Sequence, residues 1–141
     1  MSILDPSKPS HARVAERLRR EIPIWLTTVN PAGQPQSSPV WFLWDDGVFH
    51  VLSKPDATKI VNLRRNPLVS LHLQADEAAD EDVVIFEGTA AIEDDGPEER
   101  WLAPYMEKYR ELLDSYGSAA DQMQSEYSVR IRVVPTRIRT S

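Results

Sequence analysis

The chain has 141 residues, the length of one ordinary domain, and its 41% hydrophobic and 27% charged residues exclude general disorder. It contains no cysteine, which removes disulfides, thiol catalysis and cysteine-based zinc sites, and His11, His50 and His72 match no metal-ligand spacing. The net charge of -6 argues against a nucleic-acid partner, no apolar run spans a membrane, and the polar Met1–Ser10 stretch is unlike a leader, so the cytoplasm is the expected compartment.

A single domain over residues 1–141 is expected, with residues 1–9 as a flexible tail. Lys8 to Arg20 reads as a helix capped by Ser10, with Val14 and Leu18 as a thin apolar stripe. Ile22 to Asn30 reads as a strand, residues 30–34 as a turn using Gly33, and Gln36 to Trp44 as a second strand. Asp45-Asp46-Gly47 is a tight hairpin signal leading into a third strand, Val48 to Ser53, so the three strands are expected to form a meander. A short helix from Asp56 or Ala57 runs to about Arg65 and is stopped by Asn66-Pro67. Leu68 to Gln74 is a fourth strand, residues 75–82 an acidic loop, and Val83 to Glu93 a fifth strand in which Gly88 marks a bulge or a close backbone approach.

Pro97 to Ser115 reads as an amphipathic helix through Trp101, Tyr105, Tyr109 and Leu113, with Pro104 expected to kink its first turns and Gly117 to follow its end. Tyr127 to Arg139 is the sixth strand, whose far end Pro135 assigns to an edge. The fold class is therefore mainly β, an antiparallel six-stranded barrel with flanking helices.

No Gly-x-Ser-x-Gly elbow, P-loop or Gly-x-Gly-x-x-Gly run is present, so a bound cofactor would have to supply any chemistry, and no catalytic residue is assigned. The informative stretch is Leu52 to Pro67. A strand end supplies Ser53, and a helix N-terminus follows with Thr58 and Lys59 in its first turn. Free N–H groups and the helix dipole favour an anion there, hydroxyls of Ser53 and Thr58 can donate, and Lys54 and Lys59 add charge. The plain alternative is a capped helix with solvated lysines. Arg13, Arg17, Arg19 and Arg20 form a second basic cluster, which reads as a solvated face. His50 and His72 read as structural histidines. Trp25, Trp101, Tyr105 and Tyr109 read as packing.

The runs Gln36-Ser37-Ser38-Pro39-Val40-Trp41-Phe42, the Asp-Asp-Gly hairpin, Ser53 to Lys59, and Asn62-Leu63-Arg64-Arg65-Asn66-Pro67-Leu68-Val69-Ser70-Leu71 together resemble the pyridoxamine 5′-phosphate oxidase-like split barrels. Within these the chain is most similar to small actinobacterial proteins that use FMN or the deazaflavin coenzyme F420. The resemblance implies a split β-barrel and a homodimer with the cofactor in a groove between subunits. It implies that Ser38, Pro39, Val40, Trp41 and Phe42 line the ring, partly through backbone groups, that Leu52 and Ser53 lie beside the ribityl chain, and that Ala57, Thr58 and Lys59 hold the phosphate. Ser38 stands where the full oxidases carry an arginine, and the chain ends at Arg139-Thr140-Ser141 without their substrate-binding segment, so oxidation of pyridoxamine phosphate itself is not expected. The expected function is F420-dependent hydride transfer to a small unsaturated substrate. The alternatives are an FMN-dependent reductase or oxidase and a non-catalytic flavin or deazaflavin carrier.

Overall fold

A computed structural model describes residues 2–75, 83–93, 99–115 and 125–140. Helix α1 (Pro9–Arg20) starts with proline at its first position, where the missing N–H removes no helical bond. Ser10, expected as its cap, lies inside the first turn. Lys8 occupies the cap position and makes no side-chain cap bond. Val14 and Leu18 enter the core as expected, and Leu4, ahead of α1, is buried with them.

Strands β1 (Pro23–Val29) and β2 (Pro35–Trp41) form one antiparallel pair, and β3 (Leu43–Asp45) and β4 (Val48–Ser53) form another. The hairpin between β3 and β4 turns through Asp46 (φ 52°) and Gly47 (φ 76°), two left-handed residues in a row, which is the geometry that makes Asp-Gly a favoured pair there. Helix α2 (Thr58–Arg65), β5 (Leu68–His72) and β6 (Val84–Glu93) follow. After them come α3 (Glu99–Lys108), α4 (Arg110–Ser115) and β7 (Val129–Thr140). The expected acidic loop beyond Ala75 and the expected cap at Gly117 lie outside the described residues.

The sheet has seven strands in the order β2-β1-β5-β6-β7-β4-β3, all antiparallel neighbours. Six strands and a meander are what the sequence suggests, and the difference has one cause. The stretch read as a single second strand breaks at Phe42. Its first part pairs with β1 at one edge of the sheet, and its second part pairs with β4 at the other. The two edges are thus consecutive pieces of chain joined by one residue, and the sheet curls into a split barrel that the chain itself closes.

The barrel interior takes alternate residues of each strand, among them Ile24 and Leu26 of β1, Phe49 and Val51 of β4, and Phe86 of β6. Phe49 sits at 4.7 Å from Trp44 and 5.0 Å from Phe86, centroid to centroid. At Gly88 the β6–β7 register shifts, as a bulge requires. A Cβ there would lie 2.7 Å from the Val134 carbonyl oxygen and 3.2 Å from Pro135 Cα. β4 pairs with β7 only over Val129 to Val133, so the part of β7 that contains Pro135 is free on that side.

Helices α3 and α4 lay Trp101, Tyr105, Tyr109 and Leu113 over Leu43 and Leu52, forming a second apolar cluster outside the barrel. The helix interruption falls at Tyr109, between α3 and α4, and not at Pro104, which lies within α3.

Candidate functional site

Helix α2 has an open N-terminus. Its cap residue is Ala57, which has no side chain able to accept from the first-turn N–H groups, and no cap bond is made. Thr58 is exposed. Lys59 is half-buried, and that burial pushes its amine below the ordinary lysine range. A neighbouring anion would offset this penalty. Arg64 and Arg65 lie in the last turn, where the dipole favours cations.

Asn62 anchors the helix. It is 2% exposed, and its side-chain amide donates to Thr28 Oγ1 at 3.0 Å and to Gln36 Oε1 at 2.9 Å. Lys59 and Asn62 are three residues apart and share a helix face. The bonds from Asn62 therefore hold α2 against the end of β1 and the start of β2, with Lys59 one turn toward the helix N-terminus on the same face. Ala57 packs against the barrel core.

The expected site residues separate by face. Ser38 and Val40 stand opposite Leu26 and Ile24, on the inward face of β2, whereas Pro39 and Trp41 stand opposite Trp25 and Pro23, on the outward face. Phe42 is fully buried in the core, and its backbone N–H and C=O are engaged by the Tyr109 hydroxyl at 2.7 Å each. Leu52 is covered by the α3–α4 cluster. Ser53 is 1% exposed and its hydroxyl donates to the Lys54 carbonyl at 2.9 Å, so it is committed inward. Lys54 is exposed, with its amine 5.6 Å from the Tyr127 ring. The arrangement thus brings Ala57, Thr58, Lys59 and the start of β2 together and leaves Phe42 and Leu52 as packing residues of this protomer.

The α1 arginines lie elsewhere. Arg17 pairs with Glu21 and donates to the Gln74 carbonyl at 2.7 Å, and Arg19 pairs with Glu16. Gln74 follows the end of β5, beside the start of β1, whereas α2 meets the end of β1. The two helices therefore close opposite ends of the barrel. A cleft of about 580 Å³ at α1, lined by Arg13, Arg17, Arg20, Glu16, Glu21 and Gln74, is accordingly remote from the α2 N-terminus.

Sequence reasoning assigns no role to two buried polar groups, Asn62 and Arg130, or to the half-buried Lys108. Asn62 was visible as a polar residue between the apolar Ile60 and Leu63. Lys108 donates to the Leu18 and Phe42 carbonyls at 3.1 Å each, and its burial pushes the amine down to about 8 although Glu21 opposes this. Arg130 is buried beneath α3, paired with Glu93, 3.3 Å from His50 Nδ1 and 5.0 Å from the Trp101 ring centroid. His50 in turn stacks on Trp101, a structural placement as expected. Trp25, expected in the core, is instead half-buried on the outward face and stacks on His72 at 6.1 Å.

Among the described residues no three His, Asp or Glu side chains gather as a metal site requires, and no helix is long and apolar enough to cross a membrane.

A family model described as pyridoxamine 5′-phosphate oxidase matches residues 10–141. Among solved structures, an F420 reductase is 24% identical with a TM-score of 0.70, covering 89% of this chain and 95% of its own. A conserved hypothetical protein from Mycobacterium tuberculosis is 30% identical with a TM-score of 0.70, covering 91% of this chain and 81% of its own. A heme storage protein from Vibrio cholerae is 21% identical with a TM-score of 0.63, covering 99% of this chain and 95% of its own. No curated protein matches.

Proposed function

Because the chain belongs to the pyridoxamine 5′-phosphate oxidase family, we propose that it is an oxidoreductase that binds coenzyme F420 or FMN and passes hydride to a small unsaturated substrate. The observation that carries this reading is the uncapped N-terminus of α2 with Lys59 half-buried beside it. Its free N–H groups and positive dipole end suit a phosphate monoester, and the Thr58 hydroxyl and Lys59 amine add a neutral and a charged donor. The likeness to an F420 reductase supports the deazaflavin, and the same cradle suits the phosphate of FMN.

When bound, the cofactor ring supplies the hydride chemistry. The chain's own part is to hold and orient. Thr58 and Lys59 fix the phosphate. Asn62 fixes α2 against β1 and β2, and so sets the distance from that phosphate to Pro39 and Trp41, which share the outward face of β2.

A second copy would complete the groove. Leu68 and Val134, 61% and 39% exposed, flank Thr89 in one cross-strand row on the outward face of β5, β6 and β7 and support a homodimer.

The likeness to a heme storage protein supports a second reading, a carrier without turnover. Reduction of an acceptor by the protein with reduced F420 or FMN tests the choice. Cofactor-dependent turnover above the free-cofactor rate is the expected result, and tight binding with no turnover of any acceptor selects the carrier.

A further inference from the structure

Phe42 must leave both edge ladders where the chain passes from β2 to β3, so its backbone N–H and C=O need partners from elsewhere. Tyr109, fully buried at the α3–α4 junction, provides them: its hydroxyl accepts from the Phe42 N–H at 2.7 Å and lies 2.7 Å from the Phe42 carbonyl and 2.9 Å from that of Ile22, able to donate to one at a time. Lys108, the preceding residue, adds bonds to the Phe42 and Leu18 carbonyls, and its amine sits 3.6 Å from the Phe42 ring centroid. Two adjacent side chains thus gather backbone from the last turn of α1, the entry to β1 and the point where the barrel closes. The Tyr109 ring does a second thing. It lies parallel to the Trp41 indole, with centroids 4.5 Å apart and planes 2° apart. Trp41 is the last residue of β2, on the outward face with Pro39.

We propose that Tyr109, braced by Lys108, is a positioning residue that sets the orientation of Trp41 and thereby the shape of the β2 wall against which the cofactor ring lies. The α3–α4 junction, 68 residues beyond Trp41 in sequence, is then part of the cofactor site through Trp41. This rests on the cofactor reading above for its functional half, whereas the control of Trp41 by Tyr109 stands on the geometry alone.

The test is a double-mutant cycle of Tyr109→Leu and Trp41→Leu on the affinity for FMN and for F420, with near-UV circular dichroism of each apo-protein. Tyr109→Phe, which keeps the ring and loses the hydroxyl, serves where Tyr109→Leu does not fold. Leu113→Ala in α4 is the control for a merely structural loss in the same cluster. Each of Tyr109→Leu and Trp41→Leu is expected to weaken binding about three- to tenfold, with the double variant no weaker than either single one, as coupled residues require. Leu113→Ala is expected to leave affinity within about twofold. Tyr109→Phe should fall between Leu113→Ala and Tyr109→Leu. The dichroism of the stacked pair should vanish in both leucine variants and persist in Leu113→Ala. Multiplying effects of the two leucine variants, or an equal loss of affinity in Leu113→Ala, overturns the proposal. Failure of the unaltered protein to bind either cofactor sinks the cofactor reading instead, and the dichroism then decides: a tryptophan band unchanged in Tyr109→Leu overturns control of Trp41.

Discussion

Replacing Asn62 with alanine should separate α2 from the barrel more severely than the loss of one exposed polar contact would. Asn62 donates two hydrogen bonds, to Thr28 and to Gln36. Each such bond contributes about 0.5–1.5 kcal/mol net. Gln36 is exposed, so water replaces its lost donor at little cost. Thr28 is 2% exposed, and its hydroxyl oxygen would be left without that donor, a penalty of about 1–3 kcal/mol. The terms together put the loss at roughly 2–4 kcal/mol. Urea denaturation followed by far-UV dichroism measures it, and an unchanged slope with a lowered midpoint would mark a true stability change. Asn62→Asp should do at least as badly, because a carboxylate keeps neither donor and buries a charge. Cofactor affinity should fall as well, since Asn62 shares its helix face with Lys59. A loss below about 1 kcal/mol would refute the reasoning, because the two bonds would then not be what fixes α2.

Lys59→Ala should weaken cofactor binding by about 1.5–3 kcal/mol, the worth of a charged hydrogen bond, with little change in melting temperature; unchanged affinity in the folded variant removes Lys59 from the phosphate site. Gly88→Ala should destabilise the barrel without touching the α2 cradle, because its new Cβ meets the backbone of Val134 and Pro135 at distances no side-chain rotation relieves; a melting temperature equal to that of the unaltered protein contradicts the bulge geometry. Stability should rise between about pH 8 and 10: Lys108 has already lost its proton in the folded protein while the unfolded chain still holds it, so the unfolded state binds more protons. Above pH 10 stability should fall, since burial holds the Tyr105 and Tyr109 phenols protonated in the fold while the unfolded chain ionises. Denaturation midpoints across this range check both slopes, and Lys108→Met should abolish the first.

Much of this architecture was legible because its signals are local. Asp46-Gly47 needs left-handed backbone and announces its hairpin. The spacing of Trp101, Tyr105, Tyr109 and Leu113 survives a break in the helix, since all four still face one cluster. The Gly88 bulge was signalled by a glycine inside an otherwise regular strand. What the sequence hid was long-range. Residues 35–45 have strand character throughout, but their two hairpin neighbours, β1 and β4, lie toward opposite edges of the sheet, and the run divides at Phe42. The partner that allows the division, Tyr109, is far along the chain and looks like ordinary helix packing.

The expected site residues divide by face for the same reason. The open start of α2 follows from Ala57 and the residues around it. The run Ser38 to Phe42 looks like one wall, but strand alternation sends Ser38 and Val40 inward and Pro39 and Trp41 outward, and the core claims the Phe42 ring. Likewise Ser53, a hydroxyl at a strand end, is drawn inward with Val51 and satisfied by its own neighbour.

The most direct test of the central claim is a titration of the purified apo-protein with FMN and with F420, followed by quenching of cofactor fluorescence, for the unaltered chain and for Lys59→Ala in parallel. Saturable binding of at least one cofactor, weakened in the variant, is the predicted result. Binding of neither, or binding that Lys59→Ala leaves untouched, would contradict a cofactor phosphate seated at the start of α2.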